Sequence, residues 1–92
     1  MDIPVINNKE QLQFEMHADG ETAVLQYRFH EGLIWLMHTE VPAKLEGKGI
    51  ASTLARFGLE WAKENTIKVK VLCPFVALYL KRHPEYNGIV VP

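Results

Sequence analysis

The chain reads as an α+β fold in which an antiparallel meander precedes a βαβ unit. Three observations carry this reading. Apolar residues alternate with polar ones before Pro42, recur at helical spacing from Ile50 to Trp61, and alternate again over Ile67, Val69 and Val71. A strand period that gives way to a helix period and then returns is the pattern of a sheet with a crossover helix.

The elements follow in order. Leu12, Phe14 and Met16 alternate with Gln11, Gln13, Glu15 and His17, as in a half-buried strand. Asp19-Gly20 signals a hairpin turn. Leu25, Tyr27 and Phe29 alternate with Gln26, Arg28 and His30, predicting a second strand, and Glu31-Gly32 turns the chain again. The run Leu33-Ile34-Trp35-Leu36-Met37 is continuously apolar, which predicts a strand covered on both faces and extending to about Val41. These three strands make the meander. Ile50, Leu54, Phe57 and Trp61 then share one helix face, with Arg56, Glu60, Lys63 and Glu64 largely opposite, so a helix is expected from about Gly49 to Asn65. Residues 67–72 form the next strand. Pro74 suits the first turn of a second helix, which His83-Pro84 ends. Gly88 to Val91 predicts a short terminal strand. Strands 33–41 and 67–72 should be parallel, with a right-handed crossover and their C-terminal ends on one edge, where ligands lodge in open α/β sheets.

Composition bounds the function. Ninety-two residues suffice for one domain, and 48% hydrophobic with 23% charged residues is a globular balance. Ten Lys and Arg against eleven Asp and Glu give a net charge of -1, which argues against bulk binding to nucleic acid or anionic membranes. The start Met1-Asp2-Ile3-Pro4 lacks the basic and apolar regions of a secretory signal, and no apolar run is long enough to span a bilayer. A single cysteine, Cys73, excludes an internal disulfide and a cysteine zinc cluster, and a cytoplasmic location is the expectation. The four histidines are scattered without paired ligand spacing, so no metal site is expected. Nothing in the residues points to an oligomer, and a monomer is the default.

The chemistry concentrates between the apolar strand and the long helix, in Lys44-Leu45-Glu46-Gly47-Lys48-Gly49-Ile50-Ala51. Two glycines around one residue let backbone N–H groups turn inward without side-chain obstruction. The helix behind them aims its unpaired N–H groups and positive dipole end at the same place. Lys44 and Lys48 add charge, and together these parts suit a phosphate-like anion. The spacing fails the ATP-type phosphate loop, because Gly49 stands where Ser or Thr should follow Gly47-Lys48. It fails the dinucleotide fingerprint too, since Ser52 replaces the third glycine. A glycine-rich turn that only lets helix and strand pack closely would account for the same string.

This segment resembles the pyrophosphate motif of the GNAT acetyltransferases, Gln/Arg-x-x-Gly-x-Gly/Ala, and the whole chain resembles the small single-domain branch of that superfamily. The residues that carry the likeness are Trp35, His38-Thr39-Glu40-Val41-Pro42, Glu46 to Ala51, Cys73-Pro74-Phe75-Val76 and His83-Pro84-Glu85-Tyr86. The resemblance implies a minimal GNAT-like α+β fold with a parallel strand pair and two helices, residues 1–92 forming a single acetyltransferase-like domain. It implies acetyl-CoA as donor, with pantetheine pairing to backbone at Glu40 and Val41 and pyrophosphate on the amides of Glu46, Gly47, Lys48, Gly49, Ile50 and Ala51. It also implies an amine as acceptor, on a protein or peptide given the open site expected of so short a chain. Two departures stand out. Lys44 replaces the usual Arg or Gln, keeping charge but losing fork geometry. Cys73 fills the position of an Asn and Leu80 that of the Tyr that reprotonates CoA, while Tyr79, one residue short, points about 100° away on the helix.

Two side chains are candidates for catalysis. Cys73 falls at the mouth of the parallel pair and the start of a helix, a position that favours thiolate character. It could act as nucleophile or assist proton transfer to the leaving CoA, and its plain alternative is a buried small hydrophobe. His38 ends the apolar strand; an imidazole suits accepting the acceptor amine's proton, or activating Cys73. A ring satisfied by a backbone carbonyl is the competing expectation. His83 suits helix capping, His17 and His30 solvated strand faces, and Lys68 and Lys70 a solvated strand face. Other functional classes remain open on these residues: a CoA-binding sensor or interaction module with little turnover, and a Cys/His thioesterase-type hydrolase.

Overall fold

The computed structural model describes residues 3–92. Six strands form one sheet in simple sequential order: β1 (Ile6–Asn8), β2 (Gln13–Ala18), β3 (Glu21–His30), β4 (Leu33–Glu40), β5 (Lys68–Val71) and β6 (Val90–Val91). The first three pairings are antiparallel, whereas β4–β5 and β5–β6 are parallel. Helix α1 (Ile50–Glu64) crosses between β4 and β5, and α2 (Pro74–Arg82) follows β5. Short 3-10 turns occupy Ala43–Leu45 and Pro84–Ile89. The mixed α+β architecture, the parallel pair and the two α-helices are thus those expected from the periodicities. The antiparallel part has four strands rather than three, because Ile6–Asn8 pairs with Gln13–Glu15. That added strand is too short for its alternation to register against the chain around it.

One face of the sheet meets the helices. Phe14, Leu25, Tyr27, Ile34, Leu36 and Val69 are buried there, with Leu54 and Leu59 from α1 and Val76 from α2. Gly58 is placed at the tightest point: a Cβ on it would come within 3.2 Å of Leu25 Cδ2 and 3.3 Å of Phe14 Cε2. The rings of Phe14, Phe57 and Trp61 pack edge-on or tilted beside it. The opposite face has less cover. Leu33, Trp35 and Met37 are only half-buried, and the Trp35 ring meets His30 edge-on. The expectation of cover on both faces of β4 therefore holds for one face and partly for the other.

A β-bulge in β4 decides what faces what. Tyr27 pairs with Leu36 but Gln26 pairs with His38, so Met37 is an extra residue without a partner on β3. Side chains alternate along a strand, and one extra residue inverts the alternation beyond it. Thr39, partner of buried Leu25, turns toward the helices; His38 and Glu40 turn to the other face.

Candidate functional site

β4 and β5 part where the bulge occurs. Their pairing ends at Leu36 with Val71, and the Leu36 carbonyl accepts from the N–H groups of both Leu72 (2.9 Å) and Cys73 (3.0 Å). β5 then gives way to α2, while β4 runs on to Glu40 with β3 as its strand partner. A groove of about 630 Å³ opens beside this stretch, of the size typical for small-molecule sites. It is lined by Thr39, Glu40 and Val41 at the end of β4, by Leu45 to Gly47 and Gly49 to Ser52 at the loop and the start of α1, and by Phe75 of α2.

The loop that leads into α1 is built for exposed backbone. Leu45 and Ile50 are buried anchors at 0% and 3% exposure, and Glu46 to Gly49 between them are exposed. Gly47 and Gly49 take φ of +80° and +75°, the left-handed region that side chains disfavour. A Cβ at either glycine would meet no atom within 4 Å, so the space above both is open. Gly49 is the N-cap of α1, and no side chain caps the helix nor does an acid lie in its first turn. The free N–H groups and positive dipole end of α1 therefore face the groove uncompensated. This donor set fits a bridging diphosphate.

The predicted cofactor residues Glu40, Val41, Glu46, Gly47, Gly49, Ile50 and Ala51 all line the groove. Lys44 and Lys48 do not: both are exposed, and Lys48 Nζ lies 3.4 Å from Asp19 of the β2–β3 turn. Thr39, Leu45, Ser52 and Phe75 line it without having been singled out. Thr39 and Phe75 lie within the blocks that carry the family resemblance, the one signal that could have marked them.

Cys73 and His38 are not brought together. Cys73 is buried at 2% exposure as the N-cap of α2, and its Sγ lies 3.1 Å from Thr39 Oγ1. His38 precedes Thr39 and so points to the opposite side of the sheet, where its Nε2 lies 3.3 Å from Glu40 Oε2 at an exposed site. The imidazole thus meets a carboxylate rather than a backbone carbonyl. Tyr79 is buried and stacks on His83 at 4.0 Å between ring centres; burial raises its phenol above the ordinary value, partly offset by Arg56. Among the described residues no three His, Cys, Asp or Glu side chains converge as metal ligands, and no helix is long and apolar enough to cross a membrane.

Comparisons with known proteins converge on one family and one fold. Residues 13–89 match the profile of the family described as GCN5-related N-acetyl-transferase. Protein NATD1 of Mus musculus is 33% identical over 85 residues, a span covering 89% of this chain and 77% of that protein. NATD1 of Homo sapiens is also 33% identical over 85 residues, with 89% and 75% covered. A GCN5-like protein of Staphylococcus aureus, solved in solution by NMR, superposes with a TM-score of 0.75 at 25% identity, over 97% of this chain and 88% of its own. With a profile match along most of its length and relatives one-third identical, the chain belongs to the GCN5-related N-acetyltransferase family.

Proposed function

We propose that this chain, as a single cytoplasmic acetyltransferase-like domain, binds acetyl-CoA in the groove and transfers the acetyl group to an amine on a protein or peptide. The observation that carries the proposal is the pair of left-handed glycines at the uncapped start of α1, with open space above both. When bound, acetyl-CoA supplies an activated thioester. The chain's part is to hold and orient it. Backbone N–H groups from Gly47 to Ala51 donate to the diphosphate beside Glu46, whose own N–H is bonded to the Ala43 carbonyl, Glu40 and Val41 offer main chain to the pantetheine arm, and Phe75 adds an apolar surface. Lys44 and Lys48 act from outside the groove, through their field rather than by contact. Cys73, beside the β4–β5 opening, is proposed to carry a proton toward CoA, and His38, on the far face, to take the acceptor amine's proton only by way of solvent.

The test is a CoA titration followed on the backbone amides of Gly47, Gly49 and Ala51, then turnover with a panel of amines. Amide shifts at the loop and at Glu40 and Val41, with acetylation of an amine, support the proposal. Binding without turnover makes the chain a CoA-binding module, and CoA release into water alone makes it a hydrolase. No shift at the loop refutes the binding reading. His38→Ala with unchanged transfer from pH 6 to pH 9 removes His38 from the chemistry.

A further inference from the structure

Thr39 joins the groove to the buried Cys73. It lines the groove, and its hydroxyl lies 3.1 Å from the sulfur of Cys73, which does not line it. Cys73 is 2% exposed, too enclosed for its sulfur to attack a thioester carbon directly. The contact exists because of the bulge at Met37: without the extra residue Thr39 would face the other side of the sheet and His38 would face α2. A threonine hydroxyl can donate and accept at once, so it can stand between two groups that exchange a proton.

Resting on the acetyltransferase reading above, we infer that Thr39 is the positioning residue that couples the buried Cys73 thiol to the groove and relays its proton. Transfer makes an acyl–nitrogen bond, breaks the acyl–sulfur bond, and requires one proton to move from the acceptor nitrogen to the donor sulfur. Thr39 gives its hydroxyl proton to that sulfur and takes the Cys73 thiol proton onto the same oxygen. Cys73 then regains a proton through Thr39 from water in the groove, which has received the one shed by nitrogen. No acetyl group is carried by Cys73 in this scheme.

The test uses Thr39→Val, which keeps the shape, and Thr39→Ser, which keeps the hydroxyl. The lone thiol has a single S–H stretching band in the Raman spectrum, a readout that needs no CoA. The band should move to higher frequency in Thr39→Val, as the hydrogen bond is lost, and stay near its wild-type place in Thr39→Ser. In transfer assays Thr39→Val should lower kcat about 10- to 100-fold with KM for acetyl-CoA little changed, and Thr39→Ser should restore most of it. Adding Thr39→Val to Cys73→Ala should cost no more than Cys73→Ala alone. An S–H band that does not move, independent effects in the double variant, or an acetyl adduct on Cys73 by intact mass would each overturn the inference. If wild type shows no loop shifts with CoA, the acetyltransferase reading fails separately, and the Raman band still decides whether Thr39 holds the thiol.

Discussion

Gly49 and Gly32 offer a matched pair for separating strain from function. Both are exposed, both have φ near +75°, and an added Cβ at either meets nothing within 4 Å. Replacing either with Ala therefore adds a left-handed conformation to a side-chain-bearing residue and no clash. That penalty is about 1–2 kcal/mol, which in a domain of this size lowers Tm by about 4–16 °C. Gly49→Ala and Gly32→Ala should thus lose similar stability in ligand-free melts. CoA affinity should part them. At Gly49 the methyl group enters the groove beside the first turn of α1, and losing one charge-assisted backbone bond there weakens binding about 10- to 100-fold. Gly32 lies in the β3–β4 turn, away from the groove lining, so Gly32→Ala should bind as wild type does. Calorimetric titration well below both melting temperatures reads the difference. Equal CoA affinity in the two variants would refute the role assigned to the loop, and a Gly49→Ala variant that melts with wild type would refute the conformational argument.

Other expectations concern the frame around the site. Glu15 is buried on β2 and accepts hydrogen bonds from Gln13, Asn8 and His17, which hold its carboxyl below the ordinary value of 4.5. A depressed folded value contributes stability above that range and loses it as pH falls through the lowered value, so Glu15→Gln should destabilise by about 1–3 kcal/mol at pH 7 and flatten the acid limb of a pH–stability curve. Gly58→Ala should be nearly neutral in denaturant melts, a helix-propensity gain of about 1 kcal/mol offsetting the 3.2 Å approach to Leu25, whereas Gly58→Val should cost about 1–3 kcal/mol. Tyr86 donates to Glu60 Oε2 at 2.6 Å, and burial together with that carboxylate raises its phenol far above the ordinary 10.0. Tyr86→Phe should destabilise by about 1–3 kcal/mol, and because burial also raises Tyr27 and Tyr79, an ultraviolet pH titration of the folded wild type should show phenol ionisation displaced above the ordinary value, with Tyr86→Phe removing the last group to ionise.

What could be read from residue order was whatever repeats along it. Helix α1 was legible because Ile50, Leu54, Phe57 and Trp61 mark one face over about three turns, and its bounds fall at the expected Gly49 and Asn65. The hairpins were legible because Asp19-Gly20 and Glu31-Gly32 adopt the positive φ their turns require. The cofactor loop was legible as two glycines before a helix, and the groove gathers seven of the nine residues assigned to it. The exceptions, Lys44 and Lys48, are side chains on a loop whose backbone faces the groove, and spacing says nothing of which way a loop side chain turns. The bulge at Met37 left no trace, because one extra residue inside an unbroken apolar run changes no period. Yet that residue decides that Thr39 meets Cys73 while His38 turns away to Glu40. Which elements form is a local matter of period, turn residue and cap; which side chains face each other across two strands depends on register, and register is set by the packing of the sheet as a whole.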